Sequence, residues 1–424
     1  MTGNGRPAAA EGRLAYLATL YPALSHSFVQ REVEALRARD LEIHTFALHG
    51  TNPEHVLTEA DRKAEGTTYT VLPARWRSFA GAHLRALLTG PAAYLRTLAF
   101  ALTRPPGGSH GRWWQLFYFL EAVPIWRECE SRGLTHVHAH FTSPSGDVAQ
   151  LVARLGVERA GRTRWSWSFS AHGTDIFNDG PASLAAKVGS ASLVICISDF
   201  GRSQLMRIAA EEDWGKVLVA RCGLDGEWFE SGAAPRPDGD LRLLTVGRLE
   251  REKGHAILLE AVSLLQQRHV PVVLEVVGDG SRLDSLRRQA ESLGISDRVT
   301  FAGPVGQDRI QDRYRAADAF CLPSLGEGIP VVLMEALASG LPVIASNTMG
   351  IPELIEDGAT GLLVSPGRHE DLAAAIERLA RDRSLGGRLG AAGRERVMEE
   401  FNLDRGVEIL RAAFLETLST ERAR

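Results

Sequence analysis

The sequence predicts an α/β protein of two doubly wound, Rossmann-like domains, and three observations carry that expectation. The chain has 424 residues, more than a single core of ordinary size takes up. Its second half alternates short apolar runs with helical stretches, the pattern of a parallel sheet with helical crossovers. Between the halves, 231–240 reads Ser-Gly-Ala-Ala-Pro-Arg-Pro-Asp-Gly-Asp, a composition that suits a linker.

Composition narrows the class. With 44% hydrophobic residues, 24% charged residues and a formal charge of −4, the chain reads as an ordinary soluble globular protein. It lacks the basic excess of nucleic-acid binders, so no nucleic acid is expected as a partner. Met1 to Gly12 lack the apolar stretch of a signal peptide and read as a loose tail. No run approaches the roughly 20 apolar residues of a membrane span. Cys129, Cys196, Cys222 and Cys321 form no Cys-x-x-Cys pair, and two of them sit in apolar strand-like runs. Buried thiols in a reducing compartment are expected, and hence a cytoplasmic protein.

The first half opens with a strand at 13–20, the loop Tyr21-Pro-Ala-Leu-Ser-His-Ser-Phe28, a helix at 30–39 and a strand at 43–48. The stretch 74–120 stands apart. It contains no Asp or Glu, but it carries Arg75, Arg77, Arg85, Arg96, Arg104 and Arg112 with aromatic residues interleaved. Two readings stay open: an amphipathic surface resting on anionic lipid, or a helical insertion whose aromatics pack while its arginines are solvated. His136, His138 and His140 alternate, which on a strand sets all three on one face and superficially suggests a metal site. Asp147 is the nearest carboxylate, and no metal is expected. A β-type run then ends at His172-Gly173, with Asp175 just beyond, and 193–197 and 217–220 read as further strands. Asp238-Gly-Asp240 lies in the linker and reads as a turn.

In the second half, strands are expected at 241–246, 272–277, 299–301, 319–322, 342–345 and 362–364. Ligands of such sheets sit beyond the carboxyl ends of strands. The first strand runs into Gly247-Arg248-Leu249-Glu250-Arg251-Glu252-Lys253-Gly254, placing cations at such an end. Val277-Gly-Asp-Gly280 is an incomplete dinucleotide fingerprint, because Leu283 replaces the third glycine. Ala319 to Ser346 reads as strand, tight loop, short helix, turn and strand. Pro330 suits the first helical position and Gly340 the left-handed residue that closes the helix. Glu327 and Glu335 frame the loop, seven residues apart, and a loop entering a helix start suits an anion such as phosphate. Helices are expected at 371–381 and 403–418.

These segments, in this order, resemble the retaining family-4 glycosyltransferases. The resemblance rests on the Glu-x7-Glu pair within Pro-Ser-x-x-Glu-Gly, on Gly-Arg-Leu-x-x-x-Lys-Gly, and on a Ser-x-His-x-x-Asp loop similar to the family's Thr-x-His-x-x-Asp. Leu24-Ser-His-Ser-Phe28 is similar to the Leu-Ser-Glu-Thr-Phe loop of exopolysaccharide transferases of the colanic-acid type, with His26 in place of Glu. The resemblance implies the GT-B fold. An acceptor domain at 13–230 and a nucleotide-sugar domain at 241–402 would face a cleft, with the helix at 403–418 crossing back to the first domain. It implies that Arg248 and Lys253 hold a donor diphosphate, and that Glu335 accepts from ribose hydroxyls. It also implies that Glu327 and the loop about Gly247, Gly328, Ile329 and Val331 hold the donor sugar, that His172 supports it, and that Ser25 and His26 face the acceptor. Pro330 stands where many relatives have Gly, which removes one backbone donor.

The activity implied is retaining transfer of a sugar from a nucleotide-diphosphate donor to a hydroxyl acceptor, in polysaccharide or glycoconjugate synthesis, with no cofactor and no metal. A lipid-linked saccharide at the inner membrane face and a secondary metabolite are both open as acceptors. Two competing readings use the same architecture: a non-catalytic subunit that binds a nucleotide sugar, and a sugar-nucleotide epimerase. The presence of Arg248, Lys253, Glu327 and Glu335 together argues against both.

Overall fold

A computed structural model describes residues 12–23, 27–53, 56, 58–73, 76–103, 111–160, 165–177, 179–229 and 239–423. The expected linker therefore lies outside the described residues except at its last two positions. The chain divides into two compact units. One comprises Met1–Ile197, Gly201–Ala220 and Val407–Arg424; the other comprises Ser198–Phe200 and Arg221–Gly406.

In the first unit, seven strands lie in the order β3-β2-β1-β4-β5-β6-β7. They are β1 (Arg13–Leu20), β2 (Glu42–His49), β3 (Tyr69–Leu72), β4 (His136–His140), β5 (Ser166–Ala171), β6 (Leu193–Cys196) and β7 (Val217–Val219). Every pairing is parallel. Strands β4, β5 and β6 are buried along their whole length, as expected when helices cover both faces. The core gathers Leu17, Phe46, Val137, Leu151, Phe169 and Val194. The last helix (Leu403–Ala423) counts with this unit from Val407 onward, where Phe414 is fully buried with its ring 5.0 Å from that of His138.

The second unit orders its strands β10-β9-β8-β11-β12-β13, again all parallel. They are β8 (Leu241–Val246), β9 (Val272–Val277), β10 (Val299–Gly303), β11 (Ala319–Leu322), β12 (Val343–Ser346) and β13 (Leu362–Val364). Renumbered from its own start, this is the 3-2-1-4-5-6 order of a doubly wound sheet, whose strand order reverses between β8 and β11. The two-domain α/β expectation holds.

Three features depart from the sequence reading. The edge strand β3 was not expected: it has four residues and is only partly buried. The helix Arg383–Glu400 was not expected either, because Gly386, Gly387, Gly390 and Gly393 lower its helix propensity. Two of these glycines, Gly390 and Gly393, serve packing. A Cβ on Gly390 would lie 2.1 Å from the Gly340 carbonyl oxygen, so only glycine lets this helix approach the turn after the helix Val331–Ala338. Finally, Pro330 is the residue before that helix rather than its first member, while Gly340 takes the expected left-handed conformation (φ 77°). All four cysteines are buried, and none forms a disulfide among the described residues.

The stretch 74–120 resolves into three mutually packed helices, Trp76–Thr89, Pro91–Thr103 and Arg112–Arg132. His83 joins them: Nδ1 lies 3.1 Å from the Tyr94 hydroxyl and Nε2 lies 3.1 Å from the Leu120 carbonyl. Burial lowers the pKa of His83, which favours the neutral ring such a junction needs. Phe79, Tyr94, Phe100 and Phe119 pack inward, whereas Trp76, Trp113, Trp114 and Phe117 remain exposed. The packed set is that of a helical insertion, and the second set lies at the surface.

Candidate functional site

In the second unit, the loops leaving β8 and β11 meet where the strand order reverses. A single turn, Arg251–Lys253, ends at Gly254 (φ 71°). A Cβ there would lie 2.0 Å from the Pro323 carbonyl oxygen, so glycine is required both for the backbone angle and for the approach of the loop after β11. The two loops are joined by Leu325 N–H donating to the Glu252 carbonyl at 2.7 Å.

This seam brings together residues far apart in sequence. Lys253 Nζ lies 2.5 Å from Glu327 Oε1, and the Ser324 hydroxyl donates to the same oxygen at 2.8 Å. Arg248 projects to solvent and pairs with Glu252 at 2.9 Å. Its backbone is held from below by buried His255, whose Nε2 lies 3.3 Å from the Arg248 carbonyl. Burial pushes the His255 pKa down to about 4, so the neutral ring can donate that hydrogen bond. Gly247 donates its N–H to the Val277 carbonyl. Gly328 and Ile329 are buried, and Val331 opens the helix after Pro330, which offers no N–H. Glu335, one turn further, is only 2% exposed and accepts from the Tyr314 hydroxyl at 2.9 Å. The structure therefore gathers Arg248, Lys253 and Glu327 at the seam and sets Glu335 deeper. Ser324 belongs to the Pro-Ser-x-x-Glu-Gly motif without a role assigned from sequence, and no sequence pattern pointed to His255 or Tyr314.

In the first unit, His172 follows β5 directly. Its ring centroid lies 4.4 Å from that of His140, 5.0 Å from Phe28 and 5.1 Å from Phe141. Asp175 ties the two strand ends together: Oδ1 accepts from His172 N–H at 2.7 Å and Oδ2 from Thr142 N–H at 3.1 Å. Burial raises its pKa to about 6, against the lowering effect of those N–H donors. Behind it sits Lys187, 1% exposed, whose ammonium donates to Asp179 at 2.7 Å, Asp147 at 2.9 Å and the Thr142 carbonyl at 2.6 Å. No sequence pattern pointed to Lys187. The same is true of Glu32, which accepts a hydrogen bond from the Tyr16 hydroxyl, itself 3.1 Å from His140 Nδ1. Burial raises the Glu32 pKa to about 7, and the Tyr16 hydrogen bond opposes it.

The alternating histidines do not converge. His136 sits with Nδ1 2.8 Å from the Ser166 hydroxyl and Nε2 2.8 Å from that of Ser168. His138 repeats the pattern with Ser168 at 2.8 Å and Ser170 at 3.0 Å. Burial lowers both pKa values, that of His136 to about 4, so the two rings are neutral. Ser25 and His26 lie outside the described residues. A separate cavity of about 940 Å³ lies between β3 and the helices Trp76–Thr89 and Arg112–Arg132, and shares no residue with either strand-end cluster.

Comparison with known proteins gives the same reading of the fold. Residues 227–396 match the family described as Glycosyl transferases group 1. The chain is 35% identical over 197 residues to a GDP-mannose-dependent alpha-(1-6)-phosphatidylinositol monomannoside mannosyltransferase of Mycobacterium tuberculosis, covering 43% of this chain. It is 28% identical over 287 residues to the putative colanic acid biosynthesis glycosyltransferase WcaL of Salmonella typhimurium, covering 66% of this chain. The chain spans about half the length of the first relative (51%) and 70% of the second. Among solved structures, sucrose-phosphate synthase from Thermosynechococcus elongatus superposes with a TM-score of 0.71 at 20% identity, covering 96% of this chain and all of that one.

Proposed function

From the match of residues 227–396 to the group 1 glycosyl transferases and from the GT-B fold, we propose that the chain moves a sugar from a nucleotide-diphosphate donor to a hydroxyl acceptor with retention of anomeric configuration. One observation carries the proposal: Lys253 and Glu327, from loops 74 residues apart, pair at 2.5 Å where the strand order reverses. A diphosphate sugar needs a cation on its phosphates and a polar group on its sugar, on either side of the bond that breaks. Lys253 with Arg248 meets the first need and Glu327 the second. As the bond breaks, charge builds on the leaving phosphate, and fixed cations there lower the barrier. In this proposal the leaving phosphate itself takes the acceptor proton in a front-face substitution. Arg248 and Lys253 answer its charge, so the scheme calls on no metal and no cofactor.

Further roles follow the same proposal. Glu335 accepts from the ribose hydroxyls once the donor is bound, Gly247, Gly328, Ile329 and Val331 line the donor, and His172 supports the sugar. Ser25 and His26 belong to the acceptor side. The GDP-mannose dependence of the mycobacterial relative supports a nucleotide-diphosphate sugar as donor, and the colanic acid biosynthesis ascribed to the Salmonella relative supports polysaccharide synthesis. A lipid-linked saccharide on the cytoplasmic face of the membrane is the acceptor class we assign, ahead of secondary metabolites.

The test is a screen of UDP- and GDP-linked sugars for thermal stabilisation and slow hydrolysis, followed by NMR of the product anomer. Retention, in the presence of EDTA, is expected. An inverted product, or activity that EDTA abolishes, would overturn the mechanism. Stabilisation by no nucleotide sugar would overturn the activity itself.

A further inference from the structure

We infer that the three helices inserted between β3 and β4 form a docking face for a bilayer carrying anionic lipid. This inference does not depend on the transferase reading. The insertion presents large apolar side chains to solvent on all three helices. In Trp76–Thr89 these are Trp76 (73% exposed), Leu84, Leu87 and Leu88, on one side of the helix. In Pro91–Thr103, Leu95 and Leu102 lie opposite the buried stripe of Ala93, Thr97 and Ala101. In Arg112–Arg132, Trp113 (78% exposed), Trp114 and Phe117 crowd the first two turns, while Tyr118, Phe119 and the turns from Glu121 to Trp126 are buried.

Exposure on this scale is unusual for a folded surface. Here it coincides with charge of one sign. Arg77, Arg85, Arg96 and Arg112 are exposed among these side chains, and 74–120 contains no carboxylate although the chain as a whole carries −4. Arg96 reaches Glu158 at 3.4 Å yet stays mostly exposed. Tryptophan set beside arginine suits the headgroup layer, where the indole spans the apolar boundary and the guanidinium meets phosphate. Charge and apolar area add in such binding, and each is weak alone. Among the described residues no helix is long and apolar enough to cross a membrane, so the face would lie on the bilayer rather than span it. A nucleic acid would use the arginines and could stack on tryptophan, but it has no use for five exposed leucines.

The experiment is flotation of the full chain with vesicles of phosphatidylcholine alone or mixed with phosphatidylglycerol, read together with tryptophan fluorescence. Binding to the anionic vesicles is expected, with a blue shift and quenching by brominated lipid. Neutralising Arg77, Arg85, Arg96 and Arg112 to Gln should weaken binding by about fivefold each. The triple change Trp113→Ala, Trp114→Ala and Phe117→Ala should remove the blue shift and most of the binding. Arg381→Gln, an exposed arginine of the second unit, should leave binding unchanged. The inference falls if the chain floats with neither vesicle, if it floats equally with both, or if both variant sets bind as wild type. It also falls if the arginines prove to bind single-stranded DNA in place of vesicles.

Discussion

At the ends of β8 and β11 the chain sets charges near solvent: Arg248 exposed, and Lys253 against Glu327, each less than one fifth exposed. At the ends of β4 and β5, on a sheet of the same winding, it sets imidazole and phenyl rings around His172, and its charges are driven inward to Lys187, Asp147, Asp175 and Asp179. The scaffold is nearly the same and the chemistry is opposite. Exposed cations are suited to meet an anion that arrives and leaves. Buried, compensated charges are suited to hold loops still. Strand-end loops, not the sheet, decide which of these a domain becomes.

The comparison can be broken in several ways, beginning with the largest effect. Lys187→Met leaves two buried carboxylates, Asp147 and Asp179, without their ammonium and should cost about 3–5 kcal/mol of stability, measured by urea denaturation. A loss below about 1 kcal/mol would mean that these carboxylates are not held by charge. Lys253→Ala should leave the fold intact, as judged by thermal melting, and lower transfer by about 10²–10³-fold. Undiminished turnover would show that the seam does not carry the reaction. Tyr314→Phe takes one hydrogen bond from buried Glu335 and should cost about 1–2 kcal/mol.

The pH response sharpens the contrast further. Glu32 in the first unit has a folded pKa raised to about 7, so burial favours its protonated form. Its contribution to stability is full below about 4.5 and is lost as pH rises through 7. Glu32→Gln should therefore gain on wild type between pH 5 and 8, in melting temperature. His255 in the second unit has a folded pKa lowered to about 4, so its contribution is full above 6.5 and is lost as pH falls through 4. His255→Asn should flatten that acid limb. Parallel pH curves for wild type and either variant would remove the corresponding group from the account.

The second unit was legible because its strands are apolar runs punctuated by Gly and Pro, and because Arg248 and Lys253 lie within one contiguous motif. The helix Arg383–Glu400 was hidden by the glycines that let it pack, and β3 by its brevity at a sheet edge. At the sites, what escaped notice was support. Ser324 stood in the motif with no role attached, and His255 under Arg248 and Tyr314 beside Glu335 carry no spacing that announces them. Tyr16 meets His140 across 124 residues, and Lys187 meets Asp147 across 40. Such partners are chosen by the register of the sheet, which a linear pattern does not display. The histidines at 136, 138 and 140 show the reverse: their spacing was plain, and it suggested a metal that the serines opposite them answer differently.

Those serines have a consequence for where protons sit. Ser168 lies 2.8 Å from a nitrogen of each of two rings, His136 and His138, yet its hydroxyl has one proton to give. It can donate to one ring only, so at least one of the two must turn an N–H toward it. The tautomer of one imidazole thereby restricts that of the other, although the rings share no direct bond. Ser168→Ala would release the constraint, and the two histidines would then choose their tautomers independently, each with the one serine left beside it.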